Sequence, residues 1–199
     1  IGDNGEISLR QILADGTIRP IKYDVGATAH TPMERDVFIT PTLIAYTTKD
    51  RVSYALDTYA NVHPQLPQHD DYIQAVSLST DQYRFAVAYT NGIVDMMYLA
   101  NLDKMQATHD FNTKITDIFF GNNGAIYVLC HDGRLLKWNC DTQDVTAVLD
   151  ALPDQNAFKM TYIEDKKQLA ICYSNGEIQF VNIADDTKGD KIAAAHSQL

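Results

Sequence analysis

Two pairs of adjacent carboxylates, Asp70-Asp71 and Asp185-Asp186, and three isolated polar residues in apolar runs, Gln74, Asp117 and Lys159, are the side chains best placed to do chemistry. Converging carboxylates bind cations through oxygen. Neighbours along a strand point to opposite faces, so neither pair meets on one cation unless it lies in a loop, and each reads as a solvated turn. Gln74, Asp117 and Lys159 differ from one another too much to form a metal-ligand set. The sequence holds no G-x-x-x-x-G-K-[ST] phosphate loop, G-x-S-x-G nucleophile elbow, H-E-x-x-H helix or strand-linked G-x-G-x-x-G. Cys130, Cys140 and Cys172 are odd in number and form no C-x-x-C pair, which signals neither a disulfide framework nor a zinc knuckle and fits a reducing compartment. No cofactor and no metal are expected, and no residue is expected to be catalytic.

Composition narrows the partners. An apolar fraction of 45% over 199 residues is enough for a real core. A formal charge of −10 argues against wrapping a phosphate backbone, which draws its affinity from clustered Lys and Arg. Nucleic acid is not the expected partner; the acidity serves solubility, with some steering toward basic surfaces. No run approaches the roughly 18 apolar residues of a membrane span, and no basic-then-apolar leader opens the chain. The expected location is cytoplasmic, without a membrane partner. The start at Ile1, directly before a turn, reads as an excerpt of a longer protein.

The elements that must carry these side chains repeat. Short turns stand at Asn4-Gly5, Lys49-Asp50, Asn91-Gly92, Asp132-Gly133 and Asn175-Gly176, their second residues 45, 42, 41 and 43 positions apart. Asn-Gly and Asp-Gly predict two-residue type I′ hairpins, with Lys49-Asp50 a looser exception. Each central hairpin lies between strand-like runs, such as Arg84 to Thr90 and Ile93 to Tyr98. Upstream of three of them an apolar segment ends in a polar bend: Ile73 to Ser79, Ile115 to Phe120, and Phe158 to Ile163. A more polar fourth strand follows, at Met105 to Asp110, Val145 to Asp150 and Lys191 to Ala195, suited to an exposed edge. The tyrosines Tyr89, Tyr98, Tyr127, Tyr162 and Tyr173 read as packing between repeats. Four strands per period of roughly 40 to 45 residues is the mark of a β-propeller blade. The fold class is therefore all-β, with four-stranded antiparallel blades.

Four of the six histidines, His30, His69, His109 and His196, fall near the junctions between repeats, at intervals of 39, 40 and 87. That recurrence favours a shared structural hydrogen bond over separate chemical roles. The best repeat, Asp132-Gly133-Arg134-Leu135-Leu136-Lys137-Trp138-Asn139, resembles the D-G-x-x-x-x-W-D of the WD-repeat family of β-propellers. The resemblance implies a hydrogen-bonded set of Trp138, Asp132 and His109 with a Ser or Thr, next to the turn glycine Gly133. The repeats are degenerate: Arg10, Ala55, Met97 and Val181 stand where Trp138 does, and Ala29, Gln68, Thr108 and Ala195 replace the glycine before the histidine. Quinoprotein-like and lactonase-like propellers share the spacing.

The repeats divide the chain into a partial blade over 1–29, blades over 30–68, 69–110, 111–150 and 151–195, and the opening of another over 196–199. A typical ring of about seven blades needs more chain on both sides. Pro32, Pro41, Pro64 and Pro67 interrupt the first complete repeat, and the segment from His63 to Gln68 reads as an edge or a protruding loop that offers Leu66 for contact. The resemblance implies a non-catalytic interaction scaffold for a partner protein or a neighbouring domain, as in the propeller part of bacterial multidomain signalling proteins. Its contact residues are expected on junctions and central hairpins: Arg35, Asp70, Asp71, Tyr72, Lys114, Arg134 and Asn156. The competing reading is a metal- or cofactor-dependent hydrolase or oxidoreductase, with Asp, Glu, His or Asn converging on a central channel.

Overall fold

A computed structural model of the chain describes residues 9–21, 38–40, 42–48, 51–57, 64–121 and 124–193. The chain divides after Tyr72 into two compact units. In the first, β1 (Leu9–Ile12) pairs antiparallel with β2 (Ile18–Ile21), and β3 (Phe38–Ile39), β4 (Leu43–Thr47) and β5 (Ser53–Asp57) form a three-stranded sheet in that order. The proline-bounded segment lies along β5: Ala55 N–H donates to Pro64 O at 3.1 Å and Leu66 N–H to Ser53 O at 2.8 Å. It is an edge, as expected, but Leu66 is only 2% exposed and packs inward instead of being offered for contact.

The second unit holds three four-stranded antiparallel meanders. They are β6 (Ile73–Leu78), β7 (Arg84–Tyr89), β8 (Ile93–Tyr98) and β9 (Met105–Asp110); β10 (Ile115–Phe120), β11 (Ala125–Cys130), β12 (Leu135–Asn139) and β13 (Val145–Leu149); and β14 (Ala157–Ile163), β15 (Gln168–Tyr173), β16 (Ile178–Asn182) and β17 (Thr187–Ile192). The last strand begins at Thr187 and not at Lys191, because Asp185 accepts the amide and hydroxyl of Thr187 at 3.2 and 2.7 Å and closes the turn early. Four-stranded meanders repeated in this way are blades, and the described sheets form part of a β-propeller.

The core is laid down once per blade. Phe85 faces Met97, Ile126 faces Trp138 and Leu169 faces Val181 across the second and third strands, and all six are 0% exposed. Each such side chain contributes roughly 1.5–3 kcal/mol by leaving water. Between the first two sheets, Ala75, Ala86 and Ala88 admit the bulk of Ile118, Phe120 and Trp138. Between the second and third, Tyr127, Leu129 and Leu135 meet Leu169, Ile171 and Tyr173. β11 is thus buried on both faces, which is why Ala125–Cys130 is an unbroken apolar run.

The hairpins are not type I′. Asn91, Asp132 and Asn175 are not left-handed; only their glycines are, with φ of 98°, 87° and 81° at Gly92, Gly133 and Gly176. Each glycine amide donates three residues back, to Tyr89, Cys130 and Tyr173. Each Asn or Asp oxygen accepts the amide two residues on, at 3.1, 3.2 and 3.0 Å from Ile93, Arg134 and Glu177. The geometry is a three-residue loop with a left-handed closing residue. Lys49 and Asp50 lie outside the described residues, but the next residue, Arg51, takes the same slot with φ 61° and donates to Thr48 O.

Candidate partner-binding site

At the hairpin end of the second unit, the loops are fastened to one another through backbone. His131 N–H donates to Lys114 O at 2.8 Å, Ala157 N–H to His131 O at 3.0 Å, Leu152 N–H to Asp132 O at 3.2 Å, and Ser174 N–H to Asn156 O at 2.8 Å. In the blade before, Phe111 N–H donates to Gly92 O at 3.0 Å. Consequently Lys114, Arg134 and Asn156 share one end of the blades, with the Lys114 and Asn156 side chains exposed. Arg134 folds back on Asp132 at 2.8 Å. Glu177 on the next hairpin pairs with Lys191 at 2.6 Å, which holds its carboxyl below the usual range.

The hydrogen-bonded set implied by the resemblance is not made. The His109 ring packs 5.8 Å from Trp138, with Phe111 beside both, but Trp138 Nε1 has no acceptor. Two causes are visible. β11 carries no Ser or Thr to relay the bond, and Asp132 is engaged by the Arg134 guanidinium and amide.

In the first unit, Asp70 and Tyr72 are both contacted by a residue the sequence did not single out. Arg51 Nη1 donates to Asp70 O at 3.1 Å, and its guanidinium lies 5.6 Å from the centre of the Tyr72 ring. Gln68 donates to Asp70 Oδ1 at 2.8 Å, and Asp71 Oδ1 accepts the Tyr72 amide at 2.8 Å. The signal was available in retrospect: Arg51 precedes Gly92 by one period. Arg35, His30 and His196 lie outside the described residues.

The polar residues of the inner strands link one blade to the next. Gln74 donates to Thr116 O at 3.4 Å and Thr116 Oγ1 to Ala157 O at 3.3 Å. Ser77 Oγ accepts Phe120 N–H at 2.8 Å, while Asp117 Oδ2 accepts Met160 N–H and Lys159 Nζ, both at 3.0 Å. Among the described residues no three His, Cys, Asp or Glu side chains are grouped to hold a metal ion. Burial pushes the Cys130 and Cys140 thiols up to about 11, so both stay protonated near neutral pH.

At the opposite end of the strands, two findings depart from the sequence reading. Tyr98 does not pack between blades: it is 42% exposed, next to the Met97–Met105 pair at the end of its strand. Asp186 is not a solvated turn residue, since Tyr127 Oη donates to its Oδ1 and Lys137 Nζ to its Oδ2, both at 2.6 Å. Burial foremost, and then Asp186, raises the Tyr127 phenol above its ordinary range. Tyr127, Lys137, Ala125, Asn139, Lys167 and the Ile183-Ala184 turn line a cleft of about 440 Å³.

No family model matches the chain, and no curated protein matches it in sequence. Among solved structures, the β-propeller domain of Myceliophteria thermophila Cps50 (Swd1) matches with a TM-score of 0.66 at 12% identity, over 85% of this chain. The fold is a β-propeller. The chain spans 59% of the length of that domain. At this identity the propeller likeness concerns the backbone path, and the side chains at the hairpin end are this chain's own. No helix among the described residues is long and apolar enough to cross a membrane.

Proposed function

We propose that this propeller segment is a non-catalytic interaction scaffold, which presents its hairpin-and-junction end to a partner protein or a neighbouring domain. The observation that carries this reading is the backbone fastening at that end. Because Lys114, His131, Asp132 and Asn156 spend their carbonyls on one another's loops, the exposed side chains between them are held in place before any partner arrives. Pre-organisation of this kind lowers the entropy cost of association. Lys114, Arg134 and Asn156 are the contacts on the second unit and, separately, Asp70, Asp71 and Tyr72 those on the first; Arg35 is added from the sequence alone. A soluble, cytoplasmic signalling protein is the setting that suits such a module, and the 69–110, 111–150 and 151–195 repeats are its structural units.

The test is affinity capture with mass spectrometry on the full-length protein, with Lys114→Glu, Arg134→Glu and Asp70→Lys made singly and their folding checked by circular dichroism. A protein held by the wild type and released by at least one folded variant is the expected result. Retention by Lys114→Glu and Arg134→Glu overturns the assignment on the second unit, and retention by Asp70→Lys overturns that on the first. A stoichiometric metal or cofactor in the purified protein, with no captured partner, overturns the scaffold reading itself.

A further inference from the structure

The cleft beside Asp186 has an internal control in the preceding blade interface. There, Arg84 stands at the start of the second strand, its guanidinium 5.2 Å from the centre of the Phe120 ring and 3.7 Å from the Asp141 carboxylate. One period on, the strand pairing puts Ala125 in the place of Arg84, since Arg84 faces Tyr98 and Ala125 faces Asn139. Tyr162 takes the place of Phe120, as each faces the second residue of its neighbouring strand run. The left-handed turn residues Gln143 and Asp186 fix the last equivalence, so Ala184 takes the place of Asp141. Two alanines thus stand where an ion pair fills the other interface, and the space they leave is the cleft. A cation has been put back from elsewhere: Lys167 Nζ lies 6.0 Å from the centre of the Tyr162 ring. Ala184 itself brings no carboxylate to the place of Asp141; that of Asp186, two residues on in the same turn, is taken up by Tyr127 and Lys137.

The hydrogen-bonding groups left over in the cleft are donors. Both oxygens of Asp186 are engaged by Tyr127 and Lys137, and Ile183 O also accepts from Tyr127 at 3.3 Å. Asn139 Oδ1 accepts the amides of Asp141 and Thr142, at 3.0 and 3.2 Å, which turns its Nδ2 outward as a donor. Lys137 gives one ammonium proton to Asp186, and Lys167 pairs with Glu164 and also bonds Tyr162, so each ammonium still has a proton to donate. An acceptor with negative charge is what this set complements.

We infer that the cleft between the β10–β13 and β14–β17 blades is a docking site for an acidic side chain of a partner peptide, whose carboxylate takes the place that Asp141 holds one blade earlier. The cleft lies at the opposite end of the strands from the hairpins and does not rest on the scaffold assignment of that end. The test uses hexaglutamate and hexaglutamine peptides with the full-length protein, read by calorimetry and by amide chemical shifts at Lys137, Asn139 and Ala184. Hexaglutamate binds and hexaglutamine does not. Ala184→Asp, which restores the internal carboxylate, and Lys167→Gln each weaken binding roughly tenfold, the size of one charge-assisted contact, while Lys104→Gln, an exposed lysine elsewhere, leaves it unchanged. Equal binding of the two peptides, no binding of hexaglutamate, or indifference to both cleft variants overturns the inference. Saturation of the same amides by acetate or inorganic phosphate at equal concentration also overturns it, by making the cleft a free-anion site.

Discussion

Glu177 illustrates how a single side chain at the hairpin end sets a pH limit. Its carboxyl is held below its ordinary value by Lys191 first and Asn175 next. A carboxyl with a depressed folded pKa contributes stability above its unfolded value and loses that contribution as pH falls through the folded one. Glu177→Gln should therefore lower the urea midpoint at pH 7, and the gap from wild type should close as pH falls below the ordinary glutamate value; a gap that stays constant into acid would remove the ion pair as its cause. Chemistry at this scale was only partly legible. Trp138 is the one residue that carries the family resemblance plainly, and its burial opposite Ile126 is what its size demands. Its hydrogen bonds were not legible, because they depend on what β11 offers across the sheet, and β11 offers only Ala, Ile, Tyr, Val, Leu and Cys. In neighbouring blades the same slot is filled by Met97 against Phe85 and Val181 against Leu169, so full burial of an apolar pair is kept where neither residue type nor volume is.

Turns are where the repeat is most regular and least visible. Left-handed residues recur at 51, 92, 133 and 176 in the central hairpins, at 70, 112 and 154 in the junctions, and at 82, 124 and 167 in the first bend of each blade. The residue types at those places are Arg and Gly, Asp and Asn, Gln, Gly and Lys, so only the glycine-bearing hairpins announced themselves in the sequence. The periodicity was readable because Gly is the cheapest residue at positive φ; the turn type was not, because Asn-Gly serves more than one geometry. The glycines are not equivalent either. A Cβ on Gly92 would stand 2.5 Å from Thr113 O, a backbone atom, whereas one on Gly133 would meet the Tyr173 ring edge at 3.2 Å. Gly133→Ala should cost about 1–2 kcal/mol, chiefly the left-handed penalty, since the ring edge it meets is a side chain that can yield. Gly92→Ala adds an overpacking cost of about 1–3 kcal/mol against the junction loop. Urea unfolding of the two variants should rank them in that order; equal losses would mean that the junction yields freely.

For the molecule as a whole, the alternation of four strands and a turn was enough to name the architecture, but not to say what makes successive blades unfold together. Repeat proteins are stabilised within each unit and at each interface between neighbours, so the coupling between blades resides in identifiable contacts. Here the apolar faces supply the bulk, and a few polar ties on the inner strands supply the register. Asp117 makes the most bonds among them. Its carboxylate is almost entirely buried and accepts its own neighbour Ile118, the Met160 amide of the next inner strand, and Lys159. Asp117→Ala leaves the Met160 amide without an acceptor beside the Ala157–Lys159 bulge, at an expected cost of about 1–3 kcal/mol. Ser77→Ala cuts the preceding interface instead, where Phe120 N–H is the orphaned donor. Hydrogen exchange separates the two. With Asp117→Ala, amides of β14–β17 should exchange faster while those of β6–β9 keep their wild-type protection, and with Ser77→Ala the loss should centre on the β6–β10 contact. If Asp117→Ala accelerates all three sheets equally, the blades form one cooperative block and the inner-strand ties are only part of its common stability.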